Sequence, residues 1–173
     1  MIVDRLGRKF TNLRVSLTAA CNYACTYCVP NGKRLMKAQN ELSAAELVKA
    51  VTLLQQATGI DTVRITGGEP LVTPKFDEFL PAVMDLGLKD VSLTTNGQLL
   101  MAKRDVIARS GVQRMNVSLD TLNPLKFKHI ARGGDLDTVL RGVESMLELG
   151  LKLKINMVPI RSENLSEVVL MLQ

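Results

Sequence analysis

The sequence predicts an α/β fold, an incomplete βα barrel of the TIM type in which parallel strands are joined by crossover helices. Three observations carry this. Strand-type apolar alternation recurs five times, helix-period segments stand between the recurrences, and each of the five strands has one apolar and one polar face. With 173 residues, 46% of them hydrophobic, the chain can bury one sizeable core, and no low-complexity linker divides it. Residues 1–173 are therefore read as one domain.

The first strand is "NLRVSLT" at 12–18. The helix "SAAELVKAVTLLQQATG" follows, with Leu47, Val48, Val51 and Leu54 on one face, a capping box of Ser43 and Glu46, and a stop at Gly59. "DTVRIT" at 61–66 is the second strand and "FDEFLPAVMDLG" its helix. "DVSLTTN" at 90–96 is the third, followed by a helix over 100–110. "RMNVSLD" at 114–120 is the fourth, followed by the helix "DLDTVLRGVESMLELG". The fifth is "LKLKINMV" at 151–158, and the tail from Glu163 begins another helix.

Open doubly wound sheets and barrels share this alternation, and the second strand face separates them. Arg14, Ser16 and Thr18, then Arg64 and Thr66, Ser92 and Thr94, Asn116, Ser118 and Asp120, and Lys152, Lys154 and Asn156 occupy one parity. The other parity is Leu, Val, Ile and Met almost throughout. The apolar face packs under the helices, so the polar face lines an interior. A filled barrel of eight strands would be branched and apolar on both faces. Five strands cannot close that ring, and a curved partial barrel is a natural holder for a large polar ligand. Its fifth strand is left with an exposed edge, which a homodimer or a further segment would cover.

Composition narrows the function classes. No apolar run approaches the roughly 20 residues of a membrane span, and the first ten residues lack a secretory segment, which predicts a soluble cytoplasmic protein without membrane contact. A net charge of +5 permits an anionic ligand. Aromatic residues are 3% of the chain and tryptophan is absent, so base-stacking platforms are not available and nucleic acid is not an expected partner.

All three cysteines lie within "CNYACTYC", as Cys21, Cys25 and Cys28. An odd number within eight residues is no disulfide framework and points to metal or redox chemistry. Structural zinc and ordinary iron–sulfur clusters require a fourth protein ligand. His129, the one histidine, lies a hundred residues away and is read as a surface or packing residue. Three cysteines on a four-iron cube leave one iron open to a substrate or cofactor.

This Cys-x3-Cys-x2-Cys array resembles the signature of radical S-adenosylmethionine enzymes, and "TGGEP" at 66–70, following the second strand, resembles their second motif. The resemblance implies that Cys21, Cys25 and Cys28 hold a 4Fe-4S cluster as catalytic metal ligands, with the open iron chelated by S-adenosyl-L-methionine. It implies further that an electron from a flavodoxin- or ferredoxin-type donor generates a 5′-deoxyadenosyl radical. Within that superfamily "DRLGRKFTNLRVSLT", "VRITGGEPL", "SLTTNGQLL", "MNVSLDTLNP" and "LKINMVPI" run in order like the N-terminal part of the GTP 3′,8-cyclases of molybdenum-cofactor biosynthesis. By that resemblance Tyr27, Gly67, Gly68, Glu69 and Ser118 contact S-adenosylmethionine, and Arg14, Arg64, Thr95 and Lys154 bind GTP. Two adjacent glycines let backbone approach a ligand closely, and their exposed amides and carbonyls are candidates to grip its methionine group. Thr95 falls on the apolar parity, so either the third strand ends before it or the register slips there.

The chain departs from that family in two places. The three further cysteines of its second cluster are not in this sequence, which reads as C-terminally truncated. Ala19-Ala20 stands where many members carry Asp-Arg. Two other readings stay open at this point: a different radical enzyme, for example a peptide-modifying one, and a non-catalytic iron–sulfur or zinc module.

Overall fold

A computed structural model of the chain describes residues 2–172. After a short antiparallel hairpin of β1 (Ile2–Val3) and β2 (Lys9–Phe10), the chain forms five parallel strands. These are β3 (Asn12–Ser16), β4 (Thr62–Thr66), β5 (Asp90–Thr95), β6 (Arg114–Ser118) and β7 (Lys152–Asn156), lying side by side in chain order. A doubly wound sheet reverses its order at a switch point, and this one does not. Five consecutive strands of a (βα) barrel, open at β3 and β7, is what the polar and apolar strand faces predict.

Four helices cover the apolar side: α1 (Ala44–Thr58), α2 (Lys75–Met84), α3 (Leu100–Ser110) and α5 (Leu136–Glu148), each packed against the next. Val63, Ile65, Leu93 and Val117 of the strands are fully buried beneath Phe76, Phe79, Ile107 and Val139 of the helices. Helix α1 starts at the capping box predicted for it, and Gly59 closes it at φ 74°, donating its amide to Gln55 O. Its inner face differs from the expectation at one turn. Leu54 is exposed, and the next inward position belongs to Gln55, whose Nε2 donates to Leu86 O at 3.1 Å.

Three elements differ from the sequence expectation. The hairpin was not expected; Asp4 builds its turn by accepting from the amides of Leu6 and Arg8 and from Arg8 Nε. A fifth helix, α4 (Pro124–Ala131), stands where the sequence reading assigns no element. The Asn123 side chain accepts from the amides of Leu125 and Lys126, and Pro124 supplies a preset first position. The helix expected from Glu163 is instead two 3₁₀ turns, Leu165–Glu167 and Leu170–Leu172. Buried Asn164 binds Ile160 N, Val158 O and Asp120 O through its side chain, and so holds the chain in a turn that competes with a helix. Among the described residues no helix is long and apolar enough to cross a membrane.

The strands themselves stop earlier than expected. Thr18, Asp120 and Val158 lie just past the ends of β3, β6 and β7, in the loops at the C-terminal edge of the sheet. In βα barrels that edge is where ligands are bound.

Candidate functional site

The cysteines sit on the loop between β3 and α1. Pairing of β3 with β4 continues past both strand ends: Leu17 N donates to Thr66 O (2.9 Å), Gly68 N to Thr18 O (2.7 Å) and Glu69 N to Ala20 O (2.8 Å). The amides of Gly68 and Glu69 are engaged by the chain itself, and the close approach is between two backbone segments. A Cβ on Gly68 would lie 2.4 Å from the carbonyl oxygens of Ala19 and Ala20, and one on Gly67 would lie 2.7 Å from Thr18 O. Only glycine permits this contact, which seats the root of the cysteine loop.

Glu69 is 1% exposed and faces inward. Its Oε1 accepts from Leu71 N (3.1 Å) and Thr95 Oγ1 (2.7 Å), and its Oε2 accepts from Asn96 N (2.7 Å). Burial pushes the carboxyl up from its ordinary value, and these three donors oppose the shift. Strand β5 does include Thr95, which pairs with Val117, and the register does not slip. Thr95 therefore points to the helix side, 2% exposed, with its hydroxyl committed to Glu69. It does not line the polar face that carries Arg14, Arg64 and Lys154. Asn96, the next residue, reaches the cysteine loop through Nδ2 to Asn22 Oδ1 at 2.7 Å.

Helix α4 braces the other side of the loop. Ala24 N donates to Ala131 O (3.0 Å) and Thr26 N to Ile130 O (2.9 Å), while Tyr23 meets Phe127 edge to face. Tyr23 Oη donates to Gln98 Oε1 at 2.8 Å. A third brace is Glu41, which accepts from Thr18 Oγ1, Ala19 N, Ala38 N and Lys75 Nζ. Burial works against its charge, but the Lys75 ammonium and the backbone donors win and hold the carboxyl down at about 2.

Within the loop, the amides of Cys28 and Val29 both donate to Cys25 O, so Cys25 and Cys28 flank a single turn. All three thiols are free; Cys21 and Cys25 are partly buried and Cys28 is exposed. Burial is the main cause that pushes the Cys25 thiol up to about 11, with the charge of Asp120 next, and burial raises Cys21 as well. Protonated thiols must lose their protons to bind metal. Among the described residues no group of three or more His, Cys, Asp or Glu is preset as a metal cage. The three thiols share one loop but are not drawn together into such a group.

Beside Cys25 a pocket opens between the loop, the ends of β5 and β6, and α4, lined among others by Tyr27, Asn96, Ser118, Asp120 and Phe127. Tyr27 and Ser118 thus share one pocket with a cysteine. Tyr27 Oη donates to Asp120 Oδ2 at 2.8 Å. Below the pocket, the polar face of the sheet places cations in lateral rows. Arg14 is opposite Arg64, Arg64 opposite Ser92, Ser92 opposite Arg114 and Arg114 opposite Lys152; one step higher, Asn116 is opposite Lys154. Arg64, Arg114, Lys152 and Lys154 line one cleft of ≈ 350 Å³. Arg114 is paired with Asp90, whereas Arg14 and Arg64 are like charges side by side on neighbouring strands. Directly opposed like charges are destabilising unless an anion lies between them.

Sequence reasoning missed Glu41, Asn96, Gln98 and α4. The Asn96-Gly97 turn and the Asn123-Pro124 helix start are local signals for two of these, whereas nothing local ties Glu41 to Thr18. His129, read as a surface or packing residue, is a surface one, with Nε2 3.3 Å from Glu163 Oε1.

The chain is 39% identical over 167 residues to a GTP 3′,8-cyclase of Alkaliphilus oremlandii, covering 95% of this chain and 52% of that protein. It is 38% identical over 168 residues to a probable GTP 3′,8-cyclase of Methanothermobacter thermautotrophicus, covering 96% and 54%. The chain thus spans about half the length of these relatives. In fold it is similar to the Streptococcus suis SuiB structure bound to S-adenosylmethionine, with TM-score 0.77 and 24% identity over 93% of this chain and 37% of that one. The family model described as the radical SAM superfamily matches residues 15–173, and the chain belongs to that superfamily.

Proposed function

We propose that the chain is the core of a cytoplasmic radical S-adenosylmethionine enzyme of the GTP 3′,8-cyclase type, converting GTP to (8S)-3′,8-cyclo-7,8-dihydroguanosine 5′-triphosphate. The observation that carries the substrate reading is the unbalanced cationic face of the sheet, with Arg14 beside Arg64 and with Arg64 and Lys154 lining one cleft. Guanidinium forks and a lysine point charge suit a polyphosphate.

Three thiols on one loop, without a fourth protein donor, fit a 4Fe-4S cluster that keeps one iron for S-adenosylmethionine. Cys21, Cys25 and Cys28 would hold that cluster. When bound and reduced by a flavodoxin- or ferredoxin-type donor, the pair supplies one-electron cleavage chemistry that removes a hydrogen atom from the ribose at C3′. Tyr27 and Ser118 bound the cofactor pocket. Gly67, Gly68 and Glu69 seat the loop, with the Glu69 side chain fixed by Thr95, and their backbone carbonyls would contact the methionine group of the cofactor. Arg14, Arg64 and Lys154 orient the triphosphate.

The test is anaerobic reconstitution with iron and sulfide, then dithionite, S-adenosylmethionine and GTP, with assay for 5′-deoxyadenosine and measurement of GTP affinity. Product is expected and is lost in Cys25→Ala. Arg64→Ala weakens GTP binding by at least about tenfold, as loss of a charge-assisted contact does. Unchanged GTP affinity in Arg64→Ala would remove the substrate assignment, and absence of 5′-deoxyadenosine would remove the radical one.

A further inference from the structure

Asp120 follows β6 and carries no role in the reading above, yet it ties together three segments of the site. Its Oδ2 accepts from Tyr27 Oη (2.8 Å) across 93 residues of sequence, and its Oδ1 accepts from Val158 N (2.9 Å), two residues beyond β7. Its backbone oxygen accepts from Nδ2 of fully buried Asn164 at 2.7 Å. The one carboxylate therefore joins the cysteine loop, between Cys25 and Cys28, to the segment that follows the Lys154 strand. Tyr27 needs such a tether. It is 42% exposed; its hydroxyl donates to Asp120 and also lies within hydrogen-bonding reach of the Cys25 thiol, so Asp120 is its charged anchor. An aromatic side chain held at one end by a charged acceptor is fixed in orientation, whereas one without that bond turns about its χ angles.

We propose that Asp120 is a positioning residue: it locks the Tyr27 ring at the wall of the S-adenosylmethionine pocket and docks that wall onto the segment following β7. The inference rests on the proposed cofactor site. Asp120 contributes orientation, and Tyr27 makes the contact.

The test is a double-mutant cycle on the anaerobically reconstituted protein, reading the dissociation constant for S-adenosylmethionine. Asp120→Ala and Tyr27→Phe each weaken binding about tenfold, and together they weaken it no more than either alone. Asp120→Asn restores most of the affinity, because its oxygen still accepts from Val158 N and its NH₂ can donate to the phenol oxygen. A second readout needs neither cluster nor cofactor. With two tyrosines and no tryptophan in the chain, tyrosine emission of the cluster-free protein reports Tyr23 and Tyr27 alone. Hydrogen bonding to a carboxylate quenches tyrosine, so Asp120→Asn brightens the emission and adds nothing in a Tyr27→Phe background. Additive losses in the cycle, or emission indifferent to Asp120→Asn, would overturn the positioning role even if the wild-type protein binds the cofactor. A wild-type protein that takes up no S-adenosylmethionine would overturn the functional reading, and this inference with it.

Discussion

At Gly68 a single hydrogen atom in place of a methyl group decides whether the cysteine loop can be seated. The approach of 2.4 Å that a Cβ would make is to two backbone carbonyls, which cannot swing aside as a side-chain tip can. Gly68→Ala is therefore expected to destabilise the fold by about 3 kcal/mol, at the upper end of overpacking costs, and to lower iron uptake at 25 °C. Thermal melting and iron content of the reconstituted variant check this; a melting temperature equal to wild type would show that the loop has another seat. Much at this scale was legible in the sequence. Three cysteines and a double glycine announce a site because their chemistry is local. The inward turn of Glu69 and Thr95 was not legible, because a buried carboxylate with three donors depends on partners 2 to 27 residues away. Parity alone already set Thr95 apart from Arg14, Arg64 and Lys154, and burial explains why.

The strands and the long helices were readable because each carries its own periodicity and caps. Helix α4 and the tail were not: α4 has eight residues, three of them basic, and the tail has apolar helix-like spacing that the side-chain bonds of Asn164 override. Elements are also joined through charge. Glu41, on the long connection before α1, holds the cysteine-loop root on one side and Lys75 in the first turn of α2 on the other. Its carboxyl is held down at about 2, below its ordinary 4.5, so its contribution to stability is fully present above 4.5 and is lost as the pH falls through about 2. Glu41→Gln is expected to cost about 2 kcal/mol at pH 7, as for a charge-assisted bond. The gap from wild type should narrow as the pH is lowered from 4.5. Melting curves of both proteins across that range measure it, and a gap independent of pH would show that the carboxylate charge is not what Glu41 contributes.

Across the whole molecule the sheet is protected unevenly. Strands β4, β5 and β6 are flanked on both sides, whereas β3 and β7 each have a partner on one side only within the five-stranded sheet. Fully buried Val63, Ile65, Leu93 and Val117 lie in the middle, while Ile155 of β7 is 37% exposed. Native-state amide exchange should therefore be slowest in β4–β6 and fastest in β7, with the gap set by local opening. Equal protection in β7 would mean that something covers its edge in solution. The order of the sheet has a further consequence, for synthesis. With every strand beside its predecessor, each βα unit leaving the ribosome finds its docking partner already made, so the sheet can grow vectorially. The braces of the cysteine loop do not share that locality. Its contacts with Gln98, Asp120, Ile130 and Ala131 are complete only after some 130 residues have emerged. Until then the three thiols travel on a segment seated only at its root, open to oxidation, and metal loading belongs to the finished domain rather than to the growing chain.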